Sequence, residues 1–149
     1  MSPPRLAGAL MAALLATGCA ATDPSAARPA ASAPQARVVT LTATQLKALV
    51  DSGQVVLIDV RTPYEFADGR IAGALNMPLT HFDAAAVPVD RTREVILYCG
   101  TSRRSQQAAE RLVALRGGVV RHLEGGFGAW TAAGYPTIAN QPADDPRRR

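Results

Sequence analysis

The fold is decided by the stretch Glu94-Val95-Ile96-Leu97-Tyr98-Cys99-Gly100-Thr101-Ser102-Arg103-Arg104-Ser105, which changes its pattern around a cysteine. Residues 94–98 form a short apolar run of the kind that becomes a buried strand. The residues after Ser105 change period, and one side of the helical wheel carries Ala108, Ala109, Leu112, Val113 and Leu115. The sequence therefore predicts a strand, a polar turn and a helix, with Cys99 at the carboxyl end of the strand.

The position of Cys99 predicts a reactive thiol. Ligands bind at the carboxyl ends of strands in open parallel sheets, and the start of a helix offers unpaired N–H groups to an anion. Arg103 and Arg104 add positive charge, which favours the thiolate. The alternative interpretation is a buried structural cysteine that happens to precede a helix. The two arginines and the polar turn favour the reactive one, and the turn's small residues can direct several N–H groups inward: Gly100, Thr101, Ser102 and Ser105.

Three motifs together resemble the rhodanese-like sulfurtransferases. The first is the loop from Cys99 to Ser105, and the others are the segments 57–66, which contains Asp-Val-Arg-Thr-Pro, and 125–136, which contains Gly-Gly-Phe-Gly-Ala-Trp. The resemblance covers about residues 38–138. It implies an α/β fold with a central, mostly parallel, five-stranded sheet and helices on both faces.

The resemblance also implies an activity, in which Cys99 takes a sulfane sulfur from thiosulfate or a persulfide donor. Cys99 would hold the sulfur as a persulfide, stabilised by loop N–H groups and Arg104, and pass it to cyanide, a thiol or a protein acceptor. No cofactor is implied. The implied substrate-binding residues are Gly100, Thr101, Ser102, Arg103 and Ser105, and the implied loop supports are Asp59, Arg61 and Glu65.

Two other functions stay open. A cysteine-dependent phosphatase or arsenate reductase would have a similar loop, but with the arginine six residues after the cysteine, whereas Arg104 is five residues after Cys99. The other is a tethered binding or scaffold module without turnover. A serine at position 102 also departs from the glycine usual in the family. If this position needs a positive φ, serine costs about 1–2 kcal/mol there or the loop has another shape.

The region before the cysteine loop contains two predicted strands and two helix starts. Residues 37–41 predict a first strand, and residues 55–60 predict a central strand covered on both faces. Thr42 with Gln45, and Thr62 with Glu65, form the pattern of a capping box. Arg61 and Glu65 are predicted to pair, either beside the active loop or as an ordinary surface ion pair.

The rest of the domain is predicted to contain further short strands and helices. We expect a short strand over residues 71–77, a turn and a short helix over 78–87, a strand over 119–123 and a helix containing Trp130. Gly125 and Gly126 are interpreted as allowing close approach to the active loop. His81 and His122 are assigned structural roles, and no metal site is predicted because neither has ligand spacing to the other or to Cys99.

The amino-terminal residues predict export from the cytoplasm. A short basic start and a twelve-residue uncharged run are typical of a signal peptide, here residues 1–18. Leu15-Ala16-Thr17-Gly18-Cys19 resembles a bacterial lipoprotein signal, so Cys19 is predicted to be lipidated; a simply cleaved signal or an uncleaved anchor are the alternatives. Residues 19–36, rich in Ala and Pro, are predicted to be a tether.

The expected location is the periplasmic side of the bacterial envelope, with a preference for the outer membrane. The predicted domain spans residues 37–138, and residues 139–149 are predicted to be a disordered tail. The chain carries a net charge of +4, but residues 38–138 contain ten basic and nine acidic side chains. This near-neutral domain argues against nucleic acid as a partner.

Overall fold

A computed structural model describes residues 35–140 and shows one parallel β-sheet flanked by helices. Its elements are β1 (Arg37–Leu41), α1 (Ala43–Asp51), β2 (Val55–Asp59), α2 (Pro63–Asp68), β3 (Leu75–Asn76), a single 3₁₀ turn (Leu79–His81), β4 (Glu94–Tyr98), α3 (Arg103–Arg116), β5 (Val119–Leu123) and α4 (Gly126–Ala132). The strand order is β1-β5-β4-β2-β3, and every pairing is parallel. The predicted fold class is confirmed.

The two faces of the sheet have separate apolar cores. Ile58 and Leu97 pack with Leu112 of α3 on one face, while Ile96 and Trp130 belong to the core on the other face. Successive side chains of a strand point to opposite faces. This alternation places Cys99, which directly follows β4, on the face that α3 covers.

Both predicted capping boxes are present. The Thr42 hydroxyl accepts from the Gln45 N–H while the Gln45 side chain accepts from the Thr42 N–H, and Thr62 and Glu65 repeat the arrangement. Each box satisfies backbone donors that have no partner within the helix. The second box fixes the start of α2 and thereby the position of Glu65.

Three local predictions need correction. The predicted strand 71–77 contains only Leu75–Asn76 as strand, because Gly73, with a φ of 78°, forms a turn just before it. In segment 78–87 the helical part is limited to the 3₁₀ turn Leu79–His81. Leu115, expected on the buried side of α3, is 58% exposed because it lies near the end of the helix.

The structure tests only part of what was predicted for the two ends of the chain. The signal peptide 1–18, the lipidation site Cys19 and most of the tether lie outside the described residues, as do residues 141–149. Asn140, assigned to the disordered tail, donates its N–H to the Ala67 carbonyl at 2.9 Å and accepts from Arg70 at 2.8 Å. The ordered domain therefore reaches at least Asn140. Over residues 35–140, no helix has the length and apolar character needed to cross a membrane.

Candidate active site

The sulfur of Cys99 lies at the centre of the carboxyl edge of the sheet. Strand β4 pairs with β2 on one side and β5 on the other, so Cys99 follows an interior strand. The residue has no exposed surface. Helix α3 begins at Arg103, as the change of sequence period predicts.

Several donors of the loop converge on Cys99. The Ser102 N–H donates to Sγ with an N···S distance of 3.2 Å. Burial alone would raise the pKa of the Cys99 thiol, but hydrogen bonds from the Ser105 hydroxyl and from the N–H groups of Ser105, Thr101 and Ser102 outweigh burial and lower it. Hydrogen bonds to the charged form favour that form. The loop therefore stabilises a negatively charged sulfur.

The backbone of Ser102 has a positive φ, the conformation in which a serine is expected to be strained. Its φ is 104°, the only positive value among the non-glycine residues described. Its hydroxyl accepts from the Gly125 N–H at 2.6 Å and faces the Leu123 carbonyl at 3.4 Å. These contacts tie the strained loop to the turn between β5 and α4, so the serine supplies bonds that a glycine would lack.

The start of α4 is hydrogen-bonded to the backbone of the Cys99 loop. The N–H of Phe127 donates to the Cys99 carbonyl at 2.6 Å, and the N–H of Gly128 donates to the Gly100 carbonyl at 3.1 Å. A Cβ on Gly126 would lie 2.3 Å from the Cys99 carbonyl oxygen. The predicted close approach to the loop is confirmed for Gly126, whereas a Cβ on Gly125 would meet Ala129 of α4 and not the loop.

A bidentate ion pair joins Arg104 to Glu65 beside the loop. The two N···O distances are 2.7 and 2.8 Å, and each side chain is 36% exposed. The Arg104 guanidinium lowers the pKa of Glu65 to about 2, and the Thr62 capping contacts act in the same direction. The hydrogen bond to Glu65 and the charge of the Cys99 thiolate both raise the pKa of Arg104 above its ordinary value.

The predicted pairing of Arg61 with Glu65 is wrong. Arg61 instead pairs with Asp59, with an N···O distance of 2.6 Å, and both side chains are almost completely buried. The Asp59 carboxylate also accepts the Arg61 N–H, and the guanidinium lies 4.2 Å from the centre of the Phe127 ring. The reason is geometric: Glu65 closes the cap of α2 and projects toward α3, whereas Arg61 is two residues from a buried carboxylate.

The other proposed site residues divide into two groups. Gly100, Thr101, Ser102 and Ser105 all contribute backbone or hydroxyl groups to the loop around Cys99. Arg103 is exposed at the start of α3, and no hydrogen bond links it to Cys99 or Glu65 in the described chain. The structure therefore brings together every predicted loop residue except the Arg103 side chain.

His122 is the residue near the site that sequence reasoning missed. It is 3% exposed, and its Nδ1 lies 3.2 Å from Ser105 Oγ. The available signal was strand alternation, because Val120 and His122 of β5 share the face of the sheet on which Cys99 lies. His81, by contrast, is exposed and contacts Thr80. No group of three or more potential metal ligands occurs within residues 35–140.

The chain is similar in sequence to known proteins. A sequence model of the rhodanese-like domain matches residues 42–133. A sulfurtransferase of Allochromatium vinosum is 37% identical over 91 residues, covering 61% of this chain and 85% of that protein. An uncharacterized Synechocystis protein is 35% identical over 105 residues, 70% of this chain; the matched region spans 59% of that protein's length.

Among solved structures, the thiosulfate sulfurtransferase of Pseudomonas aeruginosa superposes with a TM-score of 0.61 at 26% identity. The match covers 73% of this chain and 21% of that one. The match thus reproduces the architecture and corresponds to a part of the larger protein.

Proposed function

This chain belongs to the rhodanese-like domain family, and we propose that it transfers a sulfane sulfur through a persulfide on Cys99. The observation that carries the proposal is the set of N–H and hydroxyl donors directed at Sγ. Such donors stabilise charge on a sulfur atom and need no reorganisation when the reaction occurs. A sulfurtransferase among the relatives supports the same class of reaction.

The reaction balances without a cofactor. The Cys99 thiolate attacks the outer sulfur of thiosulfate, a sulfur–sulfur bond forms to Cys99, and the original sulfur–sulfur bond breaks as sulfite leaves with its electron pair. The terminal sulfur of the Cys99 persulfide then carries the negative charge, within reach of the donors of the loop. Attack by cyanide on that sulfur forms thiocyanate and restores the thiolate. A persulfide donor or a thiol acceptor follows the same course.

The size of the loop favours sulfur over a phosphoryl or arsenate group. The loop's donors converge on Sγ itself, at 3.2 Å for the Ser102 N–H, and Cys99 has no exposed surface. A tetrahedral oxyanion needs donors arranged around its own oxygens, above the sulfur. The five-residue step from Cys99 to Arg104 leaves the loop fitted to one additional sulfur atom.

Because Cys99 is buried, we assign a role in donor binding to the Arg104–Glu65 pair, whose side chains are each 36% exposed. A donor reaches Sγ only when side chains over the loop move, and Arg104 is close enough to the sulfur for the thiolate to raise its pKa. Arg104 thus attracts an anionic donor and then balances the charge of the persulfide. We place Asp59 and Arg61 as loop supports with no contact to the donor.

The proposed location rests on the amino-terminal sequence. Residues 1–18 would direct export, Cys19 would carry the lipid, and the Ala/Pro-rich segment would separate the domain from the membrane. We expect the full chain to fractionate with membranes and a Cys19→Ser variant to be released into the soluble periplasmic fraction. Equal membrane association of both proteins would contradict lipid anchoring.

Turnover of thiosulfate and cyanide to thiocyanate tests the activity. The full chain carries Cys19→Ser, so that Cys99 is its only thiol. We expect thiocyanate formation that is lost in the additional Cys99→Ser variant. Absence of sulfur transfer from thiosulfate, glutathione persulfide and 3-mercaptopyruvate would overturn the proposal and favour a binding module.

A further inference from the structure

A chain of hydrogen-bonding side chains runs from Cys99 across the sheet to its edge strand. Ser105, whose hydroxyl helps to lower the pKa of the Cys99 thiol, has its Oγ 3.2 Å from His122 Nδ1. On the other side of the imidazole, Nε2 lies 3.4 Å from Thr40 Oγ1. Ser105 and His122 are both buried, and Thr40 pairs with His122 in the β1–β5 register.

The Ser105 hydroxyl has a single proton, and three acceptors surround it. These are the Cys99 sulfur, the Ser102 carbonyl at 2.9 Å and, if unprotonated, Nδ1 of His122. The Ser102 carbonyl already accepts the N–H of Gln106 at 2.9 Å. The state of Nδ1 therefore decides whether His122 competes for this proton or leaves it to the two acceptors of the loop, the Ser102 carbonyl and the sulfur.

Burial, two carboxylates and the contact with Thr40 bear on the protonation and tautomer of His122. Burial lowers its pKa, although Glu110 on α3 and Glu124 after β5 act in the opposite direction, so the ring is neutral at neutral pH and carries one N–H. If the Thr40 hydroxyl donates to Nε2, which lies 3.4 Å away, the ring carries its N–H on Nδ1. In that tautomer Nδ1 donates to Ser105 Oγ, and the hydroxyl proton points away from the ring.

We propose that His122 is a positioning residue which, held by Thr40, donates Nδ1–H to Ser105 and thereby directs the Ser105 hydroxyl at the Cys99 sulfur. His122 acts through Ser105 and does not touch the sulfur. This inference rests on the proposed function only in taking Cys99 as the reacting group. It makes the thiolate depend on a residue of β5 and a residue of the edge strand β1, both outside the loop.

The pH midpoint of thiolate formation tests the proposal. Thiolate absorbance in the ultraviolet is recorded against pH for the full chain with Cys19→Ser, and the signal of a further Cys99→Ser variant is subtracted to remove tyrosine ionisation. This readout needs no reagent to reach the buried sulfur. His122→Leu removes the donor, His122→Asn keeps an N–H close to the position of Nδ1, and Thr40→Val removes the contact to Nε2.

We expect His122→Leu to raise the midpoint by about half to one pH unit, the equivalent of one lost hydrogen bond. Thr40→Val should raise it by less, and His122→Asn should stay near the parent value. An unchanged midpoint in His122→Leu, or equal shifts in the Leu and Asn variants, would overturn the assignment. If His122→Leu fails to fold, the comparison of His122→Asn with Thr40→Val tests the assignment instead. An unchanged midpoint in Thr40→Val would overturn the assignment. A midpoint shift in His122→Asn at least as large as that in Thr40→Val would also overturn it.

Sulfur loading from thiosulfate is measured on the same proteins, which separates the two claims. A parent protein that forms the thiolate but takes up no sulfur contradicts the proposed function and leaves the His122 assignment standing. A parent that loads sulfur while His122→Leu keeps the parent midpoint contradicts the assignment alone.

Discussion

Two arginine–carboxylate pairs support the site, one packed on Phe127 at the start of α4 and the other close to the Cys99 sulfur, and they differ in exposure. The floor of the loop, defined here as the Asp59–Arg61 pair with Gly126, is buried. The mouth, defined as the Glu65–Arg104 pair, is about one-third exposed and lies beside the sulfur. The same type of arginine–carboxylate pair therefore occurs once in the protein interior and once near solvent.

The difference in exposure suggests that the buried pair stabilises the fold, whereas the exposed pair interacts with the substrate. Breaking a buried pair leaves an uncompensated charge without water, whereas an exposed pair contributes little to folding. A side chain at the mouth can exchange a carboxylate for a substrate anion at small cost. We therefore expect changes in the floor to appear in stability, and changes in the mouth to appear in sulfur transfer.

The largest expected effect comes from the floor. Asp59→Ala should lower the free energy of unfolding by about 3–5 kcal/mol, because it leaves the Arg61 guanidinium buried without its partner. Asp51→Ala breaks the exposed Lys47–Asp51 pair and should cost at most about 1 kcal/mol. Urea unfolding compares the two. Similar losses would show that the floor pair is no different from a surface pair.

The mouth should show the reverse pattern. Arg104→Lys keeps a charge but loses the bidentate geometry, and we expect sulfur loading to slow about 10²- to 10³-fold, as when an aligned charge-stabilising donor is removed. The free energy of unfolding should change by about 1 kcal/mol or less. Rapid-quench loading with thiosulfate measures the rate, and Arg111→Lys, an exposed arginine of α3, is the control. A full rate in Arg104→Lys would remove Arg104 from the reaction.

Gly126 offers a matched test within the floor. Gly126→Ala and Gly118→Ala both place a side chain on a backbone with positive φ, 58° and 70°, which costs about 1–2 kcal/mol in each. Only at Gly126 does the new Cβ meet the loop, 2.3 Å from the Cys99 carbonyl oxygen; nothing lies within 4 Å at Gly118. Gly126→Ala should therefore lose a further ~1–3 kcal/mol from overpacking. Thermal unfolding measures the difference, and equal losses would refute the close contact.

Ser102, which ties the loop to the turn before α4, gives the smallest expected effect. Ser102→Gly relieves about 1–2 kcal/mol of backbone strain but loses two hydrogen bonds worth about 0.5–1.5 kcal/mol each. The free energy of unfolding should stay within about 1 kcal/mol of the parent, while Ser102→Ala, which keeps the strain and loses the bonds, should be clearly less stable. Equal stability of the Gly and Ala variants would show that the backbone is not strained.

The sequence predicted the elements that depend on local pattern. The apolar run before Cys99, the change of period after it and the two capping boxes each specify structure within a few residues, and all are present. The short strand after residue 70 was overestimated, because a positive-φ glycine turn interrupts it. Local pattern alone gives no information on where such a turn falls.

The partners of side chains were harder to predict, because they depend on how separate elements approach each other. Arg61 and Glu65 are four residues apart with opposite charge, which made their pairing reasonable, yet each pairs with another residue. The distance of 17 positions in the chain between Ser105 and His122 likewise concealed their contact. Strand alternation could have indicated the face of His122, but only the strand order places it next to Ser105.

The most direct test of the account is the intact mass of the Cys19→Ser protein before thiosulfate, after thiosulfate and after subsequent cyanide. The account predicts a gain equal to one sulfur atom, located on Cys99, reversed by cyanide and absent from the Cys99→Ser variant. A folded protein that gains no sulfur, or an equal gain in the variant lacking Cys99, would contradict the claim that Cys99 carries the transferred sulfur as a persulfide.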